Sequence, residues 1–332
     1  MSAETQEVAR VSCSIGRLER SMRAVLLFTA GLGVALASCS AKKTESASVT
    51  PSPVVATPAL PAGATACTTP ATDAAGSPAC FKFRSAEDAF RTVLASRPAV
   101  LAVGEAHAQK GTEKIASSTK RFTETLLPIL RGDASDLVVE LWAPDPNCQK
   151  AVATVRTAQK PVVEQQAATN QDETVVLGTR AKALAITPWL LRPTCADFAR
   201  LADAGADAVG EMLGLVKRLT QAKLVQLYDR NRADAGPGPM RMVVAYGGAM
   251  HNDLAPAPDL AQYSFGPELA NATAGKYVEL DVIVPEYVKD TAIWQKLPWY
   301  PSFKAETGPR TDVTLYRLSE KSYVLIFAAS PP

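Results

Sequence analysis

The sequence predicts an α/β fold: a mostly parallel β-sheet flanked by helices, with an antiparallel C-terminal hairpin on the sheet edge. Three observations carry that prediction. Residues 99–103, 137–139 and 242–246 are short, continuously apolar runs, the pattern of strands buried on both faces. Between them lie segments whose apolar residues recur every three or four positions, as on amphipathic helices. Near the C-terminus, 312–318 and 323–327 flank the polar turn Ser319-Glu320-Lys321-Ser322, a hairpin signal. The composition agrees: with 47% hydrophobic and 20% charged residues, a chain of 332 can bury a real core and is neither disordered nor fibrous.

In chain order, Ser85-Ala86-Glu87-Asp88 has the shape of a capping box, and Phe90, Val93 and Leu94 follow at helical spacing, which predicts a helix over 86–96. The strand over 99–103 comes next and ends at Gly104. A helix over 112–131 places Ile115, Thr119, Phe122, Leu126 and Ile129 on one face, with Pro128 as a kink and Gly132 as its stop. The strand over 137–139 ends at Glu140 and completes a β-α-β unit, for which a right-handed crossover is expected. Residues 142–170 are rich in Pro, Gln and Ala and lack a period, so they form an excursion over the sheet, placed to cover a site. A helix over 173–184 and a short strand over 185–187 restore the alternation. The longest amphipathic stretch, 208–232, buries Met212, Val216, Leu219, Leu224 and Leu227. The strand over 242–246 ends at Gly247-Gly248, and a further strand over 277–284 precedes the hairpin.

The N-terminus carries an address. Arg23 precedes an apolar stretch over 24–37, shorter than a membrane span and of the length of a signal h-region. It ends in Leu36-Ala37-Ser38-Cys39, which resembles the bacterial lipobox, cut before a cysteine that is then acylated; a plain secretory signal is the alternative. The expected location is therefore the bacterial cell envelope, with a lipid anchor at Cys39 in the membrane, and Ser40 rather than Asp after it favours the outer membrane. Translation starts at Met1, giving a long n-region, or at Met22. The domain plan is a signal peptide over 1–38, a Pro/Ala/Ser/Thr-rich tether over 39–80, whose composition cannot bury enough surface to fold, and an α/β domain over 81–330.

Charge and cysteines narrow the function classes. Lys+Arg 35 against Asp+Glu 33 leaves a formal charge of +2, which gives no electrostatic pull toward nucleic acid. Neither a P-loop nor a G-x-G-x-x-G follows any predicted strand. After the signal and the acylated Cys39, the cysteines are Cys67, Cys80, Cys148 and Cys195, an even number in an oxidising compartment. Three connectivities are open. Cys67 with Cys80 and Cys148 with Cys195 is favoured, since the first pins the tether to the domain and the second staples the excursion. A zinc site competes weakly, because no C-x-x-C occurs.

The chain has two histidines, His107 and His251. Each follows a glycine by three positions, in Gly104-Glu105-Ala106-His107 and Gly248-Ala249-Met250-His251, directly after a predicted buried strand. Ligands of open α/β sheets bind beyond the carboxyl ends of the strands, where both histidines and Glu140 are expected. The glycines supply permissive φ and room for close approach. If the chain stays extended past them, Glu105 shares a side with His107, and Asp253 with His251. Imidazoles and carboxylates together suit Zn²⁺ or Mn²⁺ and leave a position for water, so His107, His251, Glu105, Glu140 and Asp253 are the candidate metal ligands. Glu105, His107, Glu140 and His251 are the candidate catalytic residues, with Glu140 as ligand, general base or orienting group. Tyr246, Asn252 and Arg121 are weaker candidates.

Two glycine-x-x-histidine motifs after buried strands, with a glutamate ending the next strand, resemble the superfamily that joins TIKI/TraB metalloproteases, ChaN-like haem-binding lipoproteins and erythromycin esterases. The resemblance spans about residues 85–285: Gly104, Glu105 and His107 match the first motif, Glu140 the acidic position, and Gly248 and His251 the second motif. The spacing from Glu105 to His107 is one residue shorter than in the esterases, which argues against erythromycin as substrate. Three functions follow from these residues. The leading one is a metal-assisted hydrolase of peptide or ester bonds. The second is a ChaN-like lipoprotein that holds haem or an iron complex through His107, His251 or Tyr246. The third is an envelope protein whose site has decayed. A small molecule or peptide is the expected ligand.

Overall fold

The computed structural model describes residues 59–67, 77–143, 145–148, 152–157 and 164–331. The signal segment, Cys39 and most of the tether lie outside the described residues. Among the described residues nine strands form one sheet: β1 (Thr65–Ala66), β2 (Ala79–Phe83), β3 (Val100–Glu105), β4 (Ala134–Trp142), β5 (Thr187–Leu191), β6 (Met242–Gly248), β7 (Tyr277–Ile283), β8 (Val313–Arg317) and β9 (Ser322–Ile326). Their order is β1-β2-β8-β9-β7-β3-β6-β4-β5. The six strands from β9 to β5 are parallel to their neighbours, and β1, β2 and β8 add an antiparallel end. The C-terminal hairpin β8–β9 lies at that end, as expected. It is not outermost, because β2 and β1 pair beyond β8. Thr65–Ala66 and Ala79–Cys80, which composition assigns to the tether, thus belong to the sheet, joined by the Cys67–Cys80 disulfide.

Helix α1 (Ala86–Leu94) begins where predicted: the Ser85 hydroxyl accepts the Asp88 N–H at 3.1 Å, and Phe90 and Val93 are fully buried. The next helix starts later than its periodicity predicts. Residues 112–116 are spent on turns, and Ser117 caps α2 (Ser118–Arg121), which widens into a π turn over Phe122–Leu126 and tightens into a 3₁₀ turn over Leu127–Leu130. Pro128 has no N–H to continue an α ladder, and Gly132, at φ 90°, ends the segment. After α3 (Asn170–Ala183), Ala185 takes a left-handed φ of 61° and the Ile186 N–H returns to the Ala181 carbonyl. That helix exit consumes 185 and 186, so β5 begins at Thr187 and not at 185. The Cys148–Cys195 disulfide ties the excursion to the start of α4 (Cys195–Asp203). The long helix is α5 (Ala208–Ala235), followed by α6 (Gly266–Ala272), α7 (Ala292–Gln295) and α8 (Tyr300–Ala305).

Two apolar layers sandwich the parallel strands. Alternate residues of β3, Leu101 and Val103, pack with Phe90, Phe122, Leu126 and Leu177 on one face, while Val100 and Ala102 pack with Leu224, Leu227 and Leu269 on the other. A third cluster surrounds Trp299, stacked on Tyr316. Strands β3 and β4 are not neighbours, contrary to the simplest β-α-β reading, because β6 is inserted between them. The chain therefore runs outward through β4 and β5 and returns to the centre in β6. In open α/β sheets a reversal of this kind marks the strand ends at which ligands bind, here those of β3, β6 and β4. Among the described residues no helix is long and apolar enough to cross a membrane.

Candidate functional site

The register across the central strands aligns Glu105 of β3 with Gly248 of β6 and Gly104 with Gly247. Glu105, His107, Glu140 and His251 thus gather at one sheet edge. Gly247 and Gly104 adopt no positive φ, so their necessity is room rather than conformational freedom. A Cβ on Gly247 would stand 2.5 Å from Glu140 Oε2 and 3.0 Å from its Cβ, and one on Gly104 2.5 Å from Asn252 Oδ1 and 2.6 Å from the Ala249 Cα. The bare backbone lets Glu140 and the turn after β6 lie on the strands.

His107 is fixed by Glu105. Glu105 Oε1 is 2.7 Å from His107 Nδ1, while Thr119 Oγ1 and the Tyr246 hydroxyl donate to Oε2 at 2.7 and 3.0 Å. Burial alone raises a carboxyl, yet the hydrogen bond and charge of His107, aided by Thr119 and Tyr246, hold Glu105 below its ordinary value. Burial likewise lowers an imidazole, but here the Glu105 hydrogen bond and charge, with the Glu140 charge behind them, raise His107 to about 9. Without a competing cation it carries a proton at neutral pH. Its Nε2 faces away from Glu105, toward the place where a Cβ on Gly248 would be, 3.5 Å from that point, with Glu140 Oε2 at 3.7 Å.

His251 is fixed differently. Residues 249–252 form a turn instead of the extended chain expected from the sequence, which buries the imidazole, with 5% of its side chain exposed. Its Nδ1 lies 2.8 Å from the Tyr263 carbonyl, and a carbonyl only accepts, so Nδ1 carries the proton and Nε2 is left open. That Nε2 is 3.8 Å from Glu140 Oε1. Glu140 Oε2 accepts the Gly248 N–H at 2.8 Å. The carboxylate therefore stands between the two histidines.

Three expectations change in this geometry. Glu105 has both oxygens engaged and orients His107 from below, rather than facing an open ligand position. Tyr246 is buried, its hydroxyl given to Glu105 and its ring against Phe122 at 4.8 Å, so it does not present itself to haem. Asp253 parts from His251 because the turn rotates it away: its Oδ1 accepts the Ala255 N–H, and its charged neighbours are Glu279 and Asp281. Asn252 donates to Asp281 and Arg121 to the Ala328 carbonyl, so neither joins the histidines. Among the described residues, one trio of His, Cys, Asp or Glu ligand atoms lies within 4.8 Å of one another, Asp145, Cys148 and Cys195, and both its sulfurs are spent in the disulfide. The two imidazoles and Glu140 are spaced more widely than that.

Thr119 and the Tyr263 carbonyl escaped the sequence reading. Thr119 stood on the predicted buried face of a helix, where a polar residue between apolar neighbours was the signal of a buried acceptor; no sequence pattern marks a carbonyl twelve residues from its histidine. The excursion does reach the site, since the Ala167 N–H and the Asn170 side chain both donate to the Ala108 carbonyl, next to His107. No protein-family model, curated protein or solved structure matches the chain.

Proposed function

We propose that the protein is a bacterial envelope lipoprotein, anchored through Cys39 with the outer membrane favoured, whose sheet edge performs metal-assisted hydrolysis of a peptide or ester bond. One observation carries the reading: each imidazole has its Nδ1 held by a fixed acceptor, Glu105 or the Tyr263 carbonyl, and its Nε2 turned to the side of Glu140. Histidine ligands of metal sites are oriented in this manner. The donor set, two imidazole nitrogens and a carboxylate, suits Zn²⁺ or Mn²⁺. Glu140 is 23% exposed and has room to move toward the imidazoles, whereas Glu105 holds the His107 ring and His251 is held in the core.

His107, His251 and one oxygen of Glu140 would hold a divalent ion, which would supply Lewis acidity to water and to a carbonyl oxygen. The chain's own contribution is orientation and proton handling. Glu105 and the Tyr263 carbonyl prevent the rings from turning, and the second oxygen of Glu140 is the group to take the proton from water as it adds to the carbonyl carbon. The C–N or C–O bond then breaks, and the proton goes to the leaving group. The superfamily resemblance in the two glycine-x-x-histidine motifs supports the same reading.

Metal analysis of protein purified without a tag, combined with hydrolysis of ester and peptide panels before and after chelation, tests the proposal. Stoichiometric Zn or Mn and hydrolysis lost on chelation are expected. A Soret band in the visible spectrum with no hydrolysis would establish haem binding by a ChaN-like protein instead, and neither metal, haem nor hydrolysis would leave a decayed site.

A further inference from the structure

On the opposite side of Gly104 from the Glu105 side chain lies a second polar group. Glu279 and Asp281 alternate along β7 and so share a face, opposite Ala102 and Gly104 of β3. Asp253 adds a third carboxylate from the chain after the His251 turn. Their direct partners are uncharged: Glu279 Oε2 accepts the Leu254 N–H, Asp281 Oδ1 the Asn252 amide and Asp253 Oδ1 the Ala255 N–H, at 2.8, 3.0 and 2.8 Å. Among the described residues, none of the three has a Lys, Arg or His nitrogen within 4.0 Å.

A separate observation concerns Asn252, which is 2% exposed. Among the described residues its Oδ1 has no hydrogen-bond partner, although buried polar atoms are rarely left without one. That oxygen and Asp281 Oδ1 each lie 2.5 Å from the point a Gly104 Cβ would take, so the orphaned acceptor and the carboxylate converge over the bare strand. Oxygen atoms that meet over a bare strand, one of them an acceptor with no donor, with uncompensated negative charge around them, are the surroundings of a hard cation.

We infer that Asn252 Oδ1 and the Asp281 carboxylate hold a hard divalent cation of the calcium type, with Glu279 and Asp253 supplying negative charge around it. Asp253 and Asp281 are half-buried, which leaves a path from solvent, and Glu279 is buried behind them. The cation would tie β7 to the turn that carries His251, since Asn252 follows His251 directly and its carbonyl accepts the Tyr277 hydroxyl at 2.5 Å. Burial and mutual repulsion push Glu279 well above its ordinary value and Asp281 to about 7, so these carboxyls take up protons when no cation balances them.

Thermal melting of chelator-stripped protein with added CaCl₂, at fixed pH above 7, tests the inference without any activity readout. Wild type and His107→Ala should both gain roughly 5 °C in Tm at calcium about a hundredfold above Kd. Asp281→Asn should lose the gain. If that variant does not fold, Asp253→Asn on the rim decides, with a calcium midpoint raised about tenfold as one ligand-side charge is removed. An unshifted wild type at about 10 mM calcium, above the range of extracellular calcium modules, would mean carboxyls held by protons and would overturn the inference. So would a full calcium response in Asp281→Asn, or an unchanged midpoint in Asp253→Asn. Loss of the response in His107→Ala would assign the ion to the histidine edge instead.

Discussion

The turn after β3 and the turn after β6 carry the same glycine-x-x-histidine spacing, yet they make two different histidines. His107 keeps to the extended path, stays one-third exposed and rests on a buried carboxylate, whereas His251 folds into a tight turn, is buried and rests on a carbonyl. Both devices fix Nδ1. Only the carboxylate adds charge, and that charge keeps His107 protonated until about pH 9. Identical spacing therefore produced one ring oriented by an ion pair and another oriented by the backbone, and the two should answer differently to pH and to substitution of their supports.

The largest expected effect treats the two as equals. If they serve one site, His107→Ala and His251→Ala should each lower hydrolysis by about 10³-fold, and the double variant should be little worse than either, because residues acting as a unit are non-additive. Multiplicative losses in the kinetics would separate them. Next, the supports differ: Glu105→Gln removes the charge under His107 and should weaken metal affinity by roughly 10- to 100-fold. Thr119→Val leaves that charge in place and should cost less in the same titration. For His251 no side-chain substitution of its support exists, since the support is a carbonyl.

Among the described residues, the excursion's hydrogen bonds to the site fall on the His107 side. Serine at Cys148 and Cys195 opens a loop of 47 positions, for which the chain-entropy model puts the loss at up to about 4 kcal/mol in denaturant unfolding. In hydrogen exchange, protection at 108–110 should fall while that of 249–252 holds. Equal loss at both turns would break the comparison.

The smallest effect is one of sign. Folded His107 holds its proton more tightly than the unfolded chain does, so its contribution to stability is complete below the ordinary value of 6.5 and lost as pH rises through about 9. In metal-free protein, Tm should fall between about pH 8 and 9.5 more in wild type than in His107→Gln. Because Asp281 titrates at about 7, the comparison is made above that point. Metal must displace the same proton, so apparent affinity should rise by up to about tenfold per pH unit toward pH 9.

Much of this was legible in the sequence because it is local. Continuous apolar runs identified the buried strands, the Ser85 and Asp88 spacing the start of α1, and among three open connectivities the favoured pairing of the four cysteines is the one that forms. Glu105 beside His107 followed from the two-residue period of an extended chain. What local pattern could not supply was everything set by packing across the sheet. The insertion of β6 between β3 and β4 depends on which strand edges meet, and it alone brings Glu140 to Gly248. Residues 249–252 turn because Gly104 and Gly247 leave space for them to settle on the strands, so Asp253 leaves His251 and joins Glu279 and Asp281. Tyr246 and Thr119 could each have been mere packing; the buried charge of Glu105 gives both hydroxyls a partner. Periodicity reports which side of an element is buried, whereas only the assembled sheet decides which polar atoms meet there, because each buried donor and acceptor must find a partner in three dimensions.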